Sequence, residues 1–100
     1  RGPADLIFAL ALVHHLAIGN NVPLENIANF FSDTGRNVIV EFIPKSDSQV
    51  QKLLSSREDI FDQYTLEDFE KAFNKYFVIV EKEMIQGSHR TVYLMQRNKT

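Results

Sequence analysis

Asp5-Leu6-Ile7-Phe8-Ala9-Leu10-Ala11-Leu12-Val13-His14-His15-Leu16 decides how the rest of the chain is read. From Leu6 to Leu12 the run has no polar face, which suits a strand buried on both sides of a parallel sheet better than a surface helix. Few of its residues are β-branched, so propensity alone favours a helix. The strand is the reading that the following segments support.

After Gly19-Asn20-Asn21, a loop signal, Pro23 sits where a first helical turn tolerates proline, and Leu24, Ile27, Ala28 and Phe31 fall on one face. Gly35 is expected to stop that helix as a left-handed cap. Val38-Ile39-Val40-Glu41-Phe42-Ile43, closed by Pro44, reads as a second strand. Strand, helix and strand with short loops make a βαβ unit, whose crossover is right-handed in nearly all cases.

Ser46-Asp47-Ser48 offers N-cap oxygens to a short helix carrying Val50, Leu53 and Leu54, released at Ser55-Ser56-Arg57-Glu58. Asp59 to Gln63 reads as loop. Thr65 and Asp68 form a capping-box-like pair, with Tyr64 and Phe69 at the hydrophobic-staple positions. Phe69, Ala72, Phe73 and Tyr76 continue at helical spacing and, with Phe77, read as core. Phe77 to Met84 and Thr91 to Gln96 then form two antiparallel strands around Gln86-Gly87-Ser88-His89.

The 100 residues carry a net charge of -2, with 44% hydrophobic and 24% charged side chains, which excludes collagen-like, low-complexity and disordered chains. No broad basic field invites nucleic acid. With no cysteine there is no disulfide scaffold, thiolate metal site or cysteine nucleophile. The opening run is interrupted by His14 and His15, lacks a small-residue cleavage site, and is shorter than the roughly 20 residues that span a bilayer. A soluble, cytoplasmic protein without membrane partners is expected. The chain starts at Arg1 and meets an apolar strand almost at once, so residues 1–100 read as a single partial domain of something longer. The edge of that first strand is expected to pair with another chain or a second copy, through the strand containing Ile7 and Ala9.

The stretch from Asp5 to Leu16 resembles the fourth-strand motif of class I S-adenosylmethionine-dependent methyltransferases, in which an aspartate and an apolar strand run into a His-His-Leu turn. The elements that follow in that family, a helix, a fifth strand, further helical sequence and a hairpin whose last strand is antiparallel, occur here in order. Phe42-Ile43-Pro44-Lys45-Ser46-Asp47-Ser48-Gln49-Val50-Gln51 looks like a nodulation-type bacterial branch of the same family. The resemblance covers essentially the whole chain. It implies an α/β fold, the C-terminal half of a Rossmann-like methyltransferase sheet: a parallel βαβ unit, then helices and a terminal antiparallel β-hairpin. It also implies S-adenosylmethionine as the cofactor of the full-length protein. The glycine-rich cofactor turn and the second-strand acidic residue of that family have no counterpart, since Gly2, Gly19, Gly35 and Gly87 are widely separated. The isolated chain is therefore expected to be inactive.

By the resemblance, Ala9, Leu10, Ala11, His14 and His15 line the cofactor cleft at the carboxyl end of the strand, where open α/β sheets bind ligands. Core packing for the first three, and a sheet-capping turn for the histidines, are the structural alternatives. Adjacent histidines do not face the same way, so a shared metal is not expected. Pro44, Lys45 and Asp47 follow the second strand on the same side and are candidates for the unidentified methyl acceptor, with Glu41 and Ser46 beside them. Ser46 and Asp47 are also helix caps by sequence, and nothing marks Asp47 as a base. Asp5, at the opposite strand end, reads as structural. Arg57, Glu58 and Asp59 read as a solvated loop, and His89 and Arg90 as ordinary turn residues. A non-enzymatic α/β interaction domain is the alternative function; a flavodoxin-like module ranks below both, because it predicts neither the His-His turn nor the terminal hairpin.

Overall fold

The computed structural model describes residues 4–55 and 59–98. Only the first half of the opening run is a strand, β1 (Ala4–Ala9). At Leu10 the chain turns, Ala11 takes a left-handed φ of 55°, and winding resumes with bonds from the His15 and Leu16 amides to the Leu12 carbonyl. A π-helical turn, His15–Gly19, follows. The strand reading thus holds for Leu6 to Ala9, while Leu10 to Leu12 is a turn, neither strand nor helix, and helical winding begins only after it. Leu10 to Leu12 has no β-branched residue to hold it extended, and no described strand continues the ladder beyond Ala9.

Helix α1 (Leu24–Thr34) starts directly after Pro23, whose carbonyl accepts from the Asn26 and Ile27 amides. Ile27, Ala28 and Phe31 are buried, as their shared face requires. Gly35 is not the expected left-handed cap. Its φ and ψ of -148° and 159° are extended, and it is the first residue of β2 (Gly35–Phe42), paired with Ala4. The helix stops because the chain is already in the sheet, so no reversing residue is needed.

Helix α2 (Ser48–Leu54) is capped by Asp47, which accepts from the Gln49 amide at 2.9 Å. Ser46 does not cap it. The expected release of this helix falls partly on Ser56, Arg57 and Glu58, which lie outside the described residues, as does the solvated-loop reading of Arg57 and Glu58. Helix α3 (Leu66–Asn74) begins as its motif predicts, with the Thr65 hydroxyl accepting from the Asp68 amide at 3.1 Å. Tyr64 and Phe69, the staple residues, both lie against Phe42, with ring centroids 5.0 Å away in each case. β3 (Phe77–Met84) and β4 (Thr91–Arg97) form the terminal hairpin, turning near Gly87 at φ 83°.

The sheet order is β1-β2-β4-β3. β1 and β2 are parallel, β4 is antiparallel to both its neighbours, and β3 therefore runs in the direction of β1 and β2. The chain is a small α/β unit with a mixed four-stranded sheet. Its core lies on one face, where Val38, Val40, Phe42, Tyr93 and Met95 of the central strands meet Ile27, Phe31, Phe69 and Phe73 of the helices. Among the described residues no helix is long and apolar enough to cross a membrane.

Candidate functional site

The carboxyl ends of β1 and β2 lie side by side, because parallel strands joined by a crossover finish at the same edge of the sheet. The turn leaving β1 exposes the Ala11 amide at that edge, and Glu41, near the end of β2, accepts from it through Oε1 at 2.9 Å. Glu41 has the parity of the sheet face that the helices do not cover, yet it is only 7% exposed. That bond, and the nearby Arg90, account for its burial. Arg90 enters from the hairpin just ahead of β4, its Nη1 3.9 Å from Glu41 Oε2.

The same guanidinium makes a two-pronged contact with Asp47, Nε to Oδ2 at 2.8 Å and Nη2 to Oδ1 at 3.1 Å. Forked geometry of this kind is among the stronger side-chain interactions. Together with the Gln49 amide it holds the Asp47 carboxyl below the usual carboxylate range, Arg90 being the larger cause and partial burial opposing it. Asp47 is thus a fixed anion that caps α2 and anchors the hairpin. Its commitment to Arg90 makes it a poor proton acceptor. Beside it, the Tyr64 hydroxyl donates to the Ile43 carbonyl at 2.5 Å, and burial raises its pKa, with the Asp47 charge adding to the effect.

His14 completes the cluster. Its side chain follows the β1 turn inward and the residue is 2% exposed. Burial pushes its pKa down, the neighbouring His15 and Arg90 push the same way, and Asp47 pulls against them. Its Nδ1 is the one buried side-chain polar atom, among the described residues, without a hydrogen-bond partner. An unsatisfied buried group of this kind costs about 1–3 kcal/mol. The His15 ring is exposed and lies 4.3 Å from the His14 ring at a tilt of 37°.

The sequence-predicted residues divide. Ala9 is buried core at the end of β1, Leu10 and Ala11 are exposed on the turn, and His14 and His15 stand behind them. Across the strand ends Pro44 and Asp47 begin the loop after β2. Lys45 is turned to Asp59, at 3.0 and 3.1 Å from the two carboxylate oxygens. Ser46 faces His89 Nδ1 at 3.3 Å. Asp5 lies at the far strand end, exposed, 3.8 Å from Arg36. No group of three or more metal-ligating side chains occurs among the described residues. Arg90 and Tyr64 are the members that sequence reasoning passed over. Arg90 is separated from Asp47 by 43 positions and looks like any polar turn residue, so only the hairpin's return beside β2 brings the two together.

An opening of about 670 Å³ lies elsewhere, between the start of α1 and α3, and is lined in part by Val22, Phe61, Asp68 and Lys71. The ion pair between Lys75 and Glu25 at its wall, 2.7 Å long, is mutually satisfied. The chemistry-bearing groups converge instead at the strand ends.

No protein-family model matches the chain, and no solved structure matches it. Among curated proteins the chain is similar to "Nodulation protein NoeA" of Rhizobium meliloti (strain 1021), at 41% identity over 99 residues. That match takes in 99% of this chain and 21% of the relative, so the chain spans about a fifth of the length of the curated protein it matches.

Proposed function

We propose that the chain is the carboxyl-terminal portion of a Rossmann-like methyltransferase domain, which in its complete form moves a methyl group from S-adenosylmethionine to an acceptor. The observation that carries this reading is the sheet: two parallel strands followed by a hairpin whose last strand is inserted antiparallel beside the second. That arrangement agrees with the element order of the family that the Asp5 to Leu16 stretch resembles. The cytoplasm is the compartment that goes with it.

The residues present fit part of such a cofactor site. Ala9 is small, Leu10 and Ala11 form an exposed turn against which a flat ring can lie, and His14 and His15 flank it. Pro44, Lys45 and Asp47 stand on the acceptor side. A glycine-rich turn and a ribose-binding carboxylate would come from other parts of the protein. When bound, the cofactor supplies an electrophilic methyl group, so the protein's task is mainly alignment. Glu41 serves that task by fixing the β1 turn through the Ala11 amide, and Arg90 by tying the hairpin to Asp47 and so to the loop after β2. His14, unprotonated at neutral pH because of burial, leaves the cluster with two carboxylates and one guanidinium, an environment favourable to a cationic sulfonium.

The test is a titration of S-adenosylhomocysteine into isotope-labelled chain, following backbone amide shifts. Saturable movement of the Ala9 to His15 amides is expected at millimolar ligand. If those amides stay still here and in a longer protein containing this sequence, the methyltransferase reading fails.

A second reading, a non-enzymatic interaction domain, is favoured by one observation: β1 is an edge strand carrying Leu6 at 42% and Phe8 at 67% exposure. In this reading the edge pairs with a second copy through the strand containing Ile7 and Ala9. Light scattering over a wide concentration range decides it, since a chain that stays monomeric does not pair in this way.

A further inference from the structure

At the edge of the sheet opposite the strand-end cluster, β2 begins with Gly35 and Arg36 and β4 ends with Gln96 and Arg97. Asn37 is paired with Gln96, so the next antiparallel rung sets Arg36 opposite Arg97. Both arginines share the parity of Val38, Val40, Tyr93 and Met95 and so belong to the helix side of the sheet. Like charges directly opposite each other in a ladder are destabilising unless something answers them. Little in the chain does. Arg97 gives Nη1 to the Ser32 carbonyl at 2.9 Å, and no carboxylate among the described residues pairs with it. Arg36 reaches only Asp5, 3.8 Å away, and the two side chains are 62% and 94% exposed, so that contact is worth little.

The two guanidiniums line an opening of about 610 Å³ at the ends of α1 and α3. Three cations, Arg36, Lys75 and Arg97, stand there against one carboxylate, Asp33. Lys75 is neutralised by Glu25 at 2.7 Å, which still leaves two guanidiniums to one carboxylate. The carboxyl end of a helix disfavours an anion through its free carbonyls. Here the Phe31 carbonyl is taken by the Gly35 amide, and the Ser32 carbonyl by Arg97 itself. At the end of α3, Asn98 donates to the carbonyls of Lys75 and Tyr76 at 3.2 and 2.8 Å. What the opening offers a ligand is therefore forked cationic donors, with the half-buried Tyr76 at its wall.

We propose that this opening binds the phosphoryl group of a small phosphate monoester, held between Arg36 and Arg97, with the organic part against Tyr76. A planar guanidinium grips carboxylate or phosphate oxygens two at a time. A carboxylate has only two oxygens and fills one fork, whereas a phosphoryl group has three and can face two forks arriving from adjacent strands. Its charge of about -1.5 to -2 at neutral pH also answers two cations where a carboxylate answers one. The site stands apart from the strand-end cluster and does not depend on the methyltransferase reading.

The test follows the arginine Nε–H and backbone amide signals of isotope-labelled chain during titration with phenyl phosphate, inorganic phosphate and acetate at fixed ionic strength. Saturable movement of the Arg36 and Arg97 signals is expected with phenyl phosphate, with weaker binding of inorganic phosphate and none of acetate. Arg36→Gln, a change on an exposed side chain, is expected to weaken phenyl phosphate binding about tenfold. Arg97→Lys keeps the charge but loses the fork and is expected to weaken it as well. Asp33→Asn removes the one carboxylate and is expected to tighten it, while Lys52→Gln removes a cation on α2, outside the opening, and is expected to leave it unchanged. No saturable movement overturns the proposal, as does an equal loss in Arg36→Gln and Lys52→Gln, which would mean a diffuse field. Acetate binding as tightly as phenyl phosphate overturns the phosphoryl assignment, and inorganic phosphate binding as tightly overturns the monoester. Should Arg97→Lys fail to fold, Arg36→Lys carries the same comparison of fork against charge. The cofactor titration reads Ala9 to His15 at the other edge of the sheet, so either can fail alone.

Discussion

The two faces of the sheet are written by alternate residues of the same strands, yet they do different work. On the helix side Val38, Val40, Phe42, Tyr93 and Met95 are all but inaccessible, and Phe42 is stacked with Tyr64 and close to Phe69. On the other side Leu6, Phe8, Val78 and Val80 meet no helix. The contrast teaches that the fold of this chain is held from one side, and that apolar content alone does not reveal which phenylalanine supports it. Removing a ring from each face measures the difference. Phe42→Ala is expected to lower stability by about 3–5 kcal/mol, while Phe8→Ala is expected to stay within about 0.5 kcal/mol of the parent. Urea unfolding of the two variants checks this, and a Phe8→Ala loss as large as that of Phe42→Ala would mean that the second face is already covered.

A second contrast lies among the ion pairs. Arg90, Asp47 and Glu41 sit largely shielded at the strand ends, whereas Lys75 and Glu25 meet in solvent. Arg90→Met leaves two poorly solvated carboxylates without their partner and is expected to cost about 1–2 kcal/mol; Lys75→Met is expected to change little. The acid limb carries the same information. Asp47 has a lower pKa folded than unfolded, chiefly because of Arg90, so its stabilisation is present above the ordinary carboxylate value near 3.9 and is lost as pH falls through the folded value. Arg90→Met should weaken that loss, and unfolding curves collected between about pH 2 and 6 read it directly. An unchanged acid limb would mean that the Gln49 amide, not Arg90, sets the Asp47 carboxyl.

How far the sequence could be read differs along the chain for the same physical reasons. The terminal hairpin and α3 were legible because their signals are local: the Thr65 cap, the staple around it, and β-rich runs on either side of Gly87. The parallel pair of β1 and β2 was legible from order and spacing. The end of β1 was not, because nothing in Leu10-Ala11-Leu12 announces that the Ala11 amide will be captured by a carboxylate thirty positions away. Gly35 misled in the other direction, since its place after a helix suggests a cap while its φ and ψ are those of a strand. At the candidate site the turn histidines and Asp47 could be singled out from sequence, but Arg90 and Tyr64 could not, because their partners are set by sheet topology rather than by spacing.

His14 sharpens the contrast between a satisfied cluster and its one unsatisfied atom. Leucine at this position removes the unpartnered Nδ1 while filling a comparable volume, and His14→Leu is expected to raise stability by about 1 kcal/mol at neutral pH. The pH dependence has a definite sign. His14 is lowered in the folded state, mainly by burial, so the unfolded chain binds the proton more readily. Stability from this residue is intact above the unfolded value near 6.5 and declines as pH falls from there toward the lowered folded value. His14→Leu should flatten that decline, and parallel thermal melts from about pH 5 to 8 test it. A variant as pH-sensitive as the parent would move the effect to other groups.

The smallest effect separates two left-handed residues that the sequence treats differently. Gly87 supplies φ 83° in the hairpin turn with nothing near an added Cβ, so the cost of Gly87→Ala is backbone strain alone, about 1 kcal/mol. Ala11 holds φ 55° at the strand ends without a glycine's freedom. Ala11→Gly relieves the strain of a left-handed alanine but adds freedom to the unfolded chain, and a net gain of about 0.5 kcal/mol is expected. The comparison becomes functional when the same variant is titrated with S-adenosylhomocysteine. A turn that gains stability yet binds less well was held by alanine for the sake of its shape, since glycine lets the amide that Glu41 fixes wander. If Ala11→Gly gains stability and leaves the amide shifts at saturation unchanged, the conformation of this turn contributes nothing to recognition, and the site must be carried by groups deeper in the cluster, with His14 the first of them.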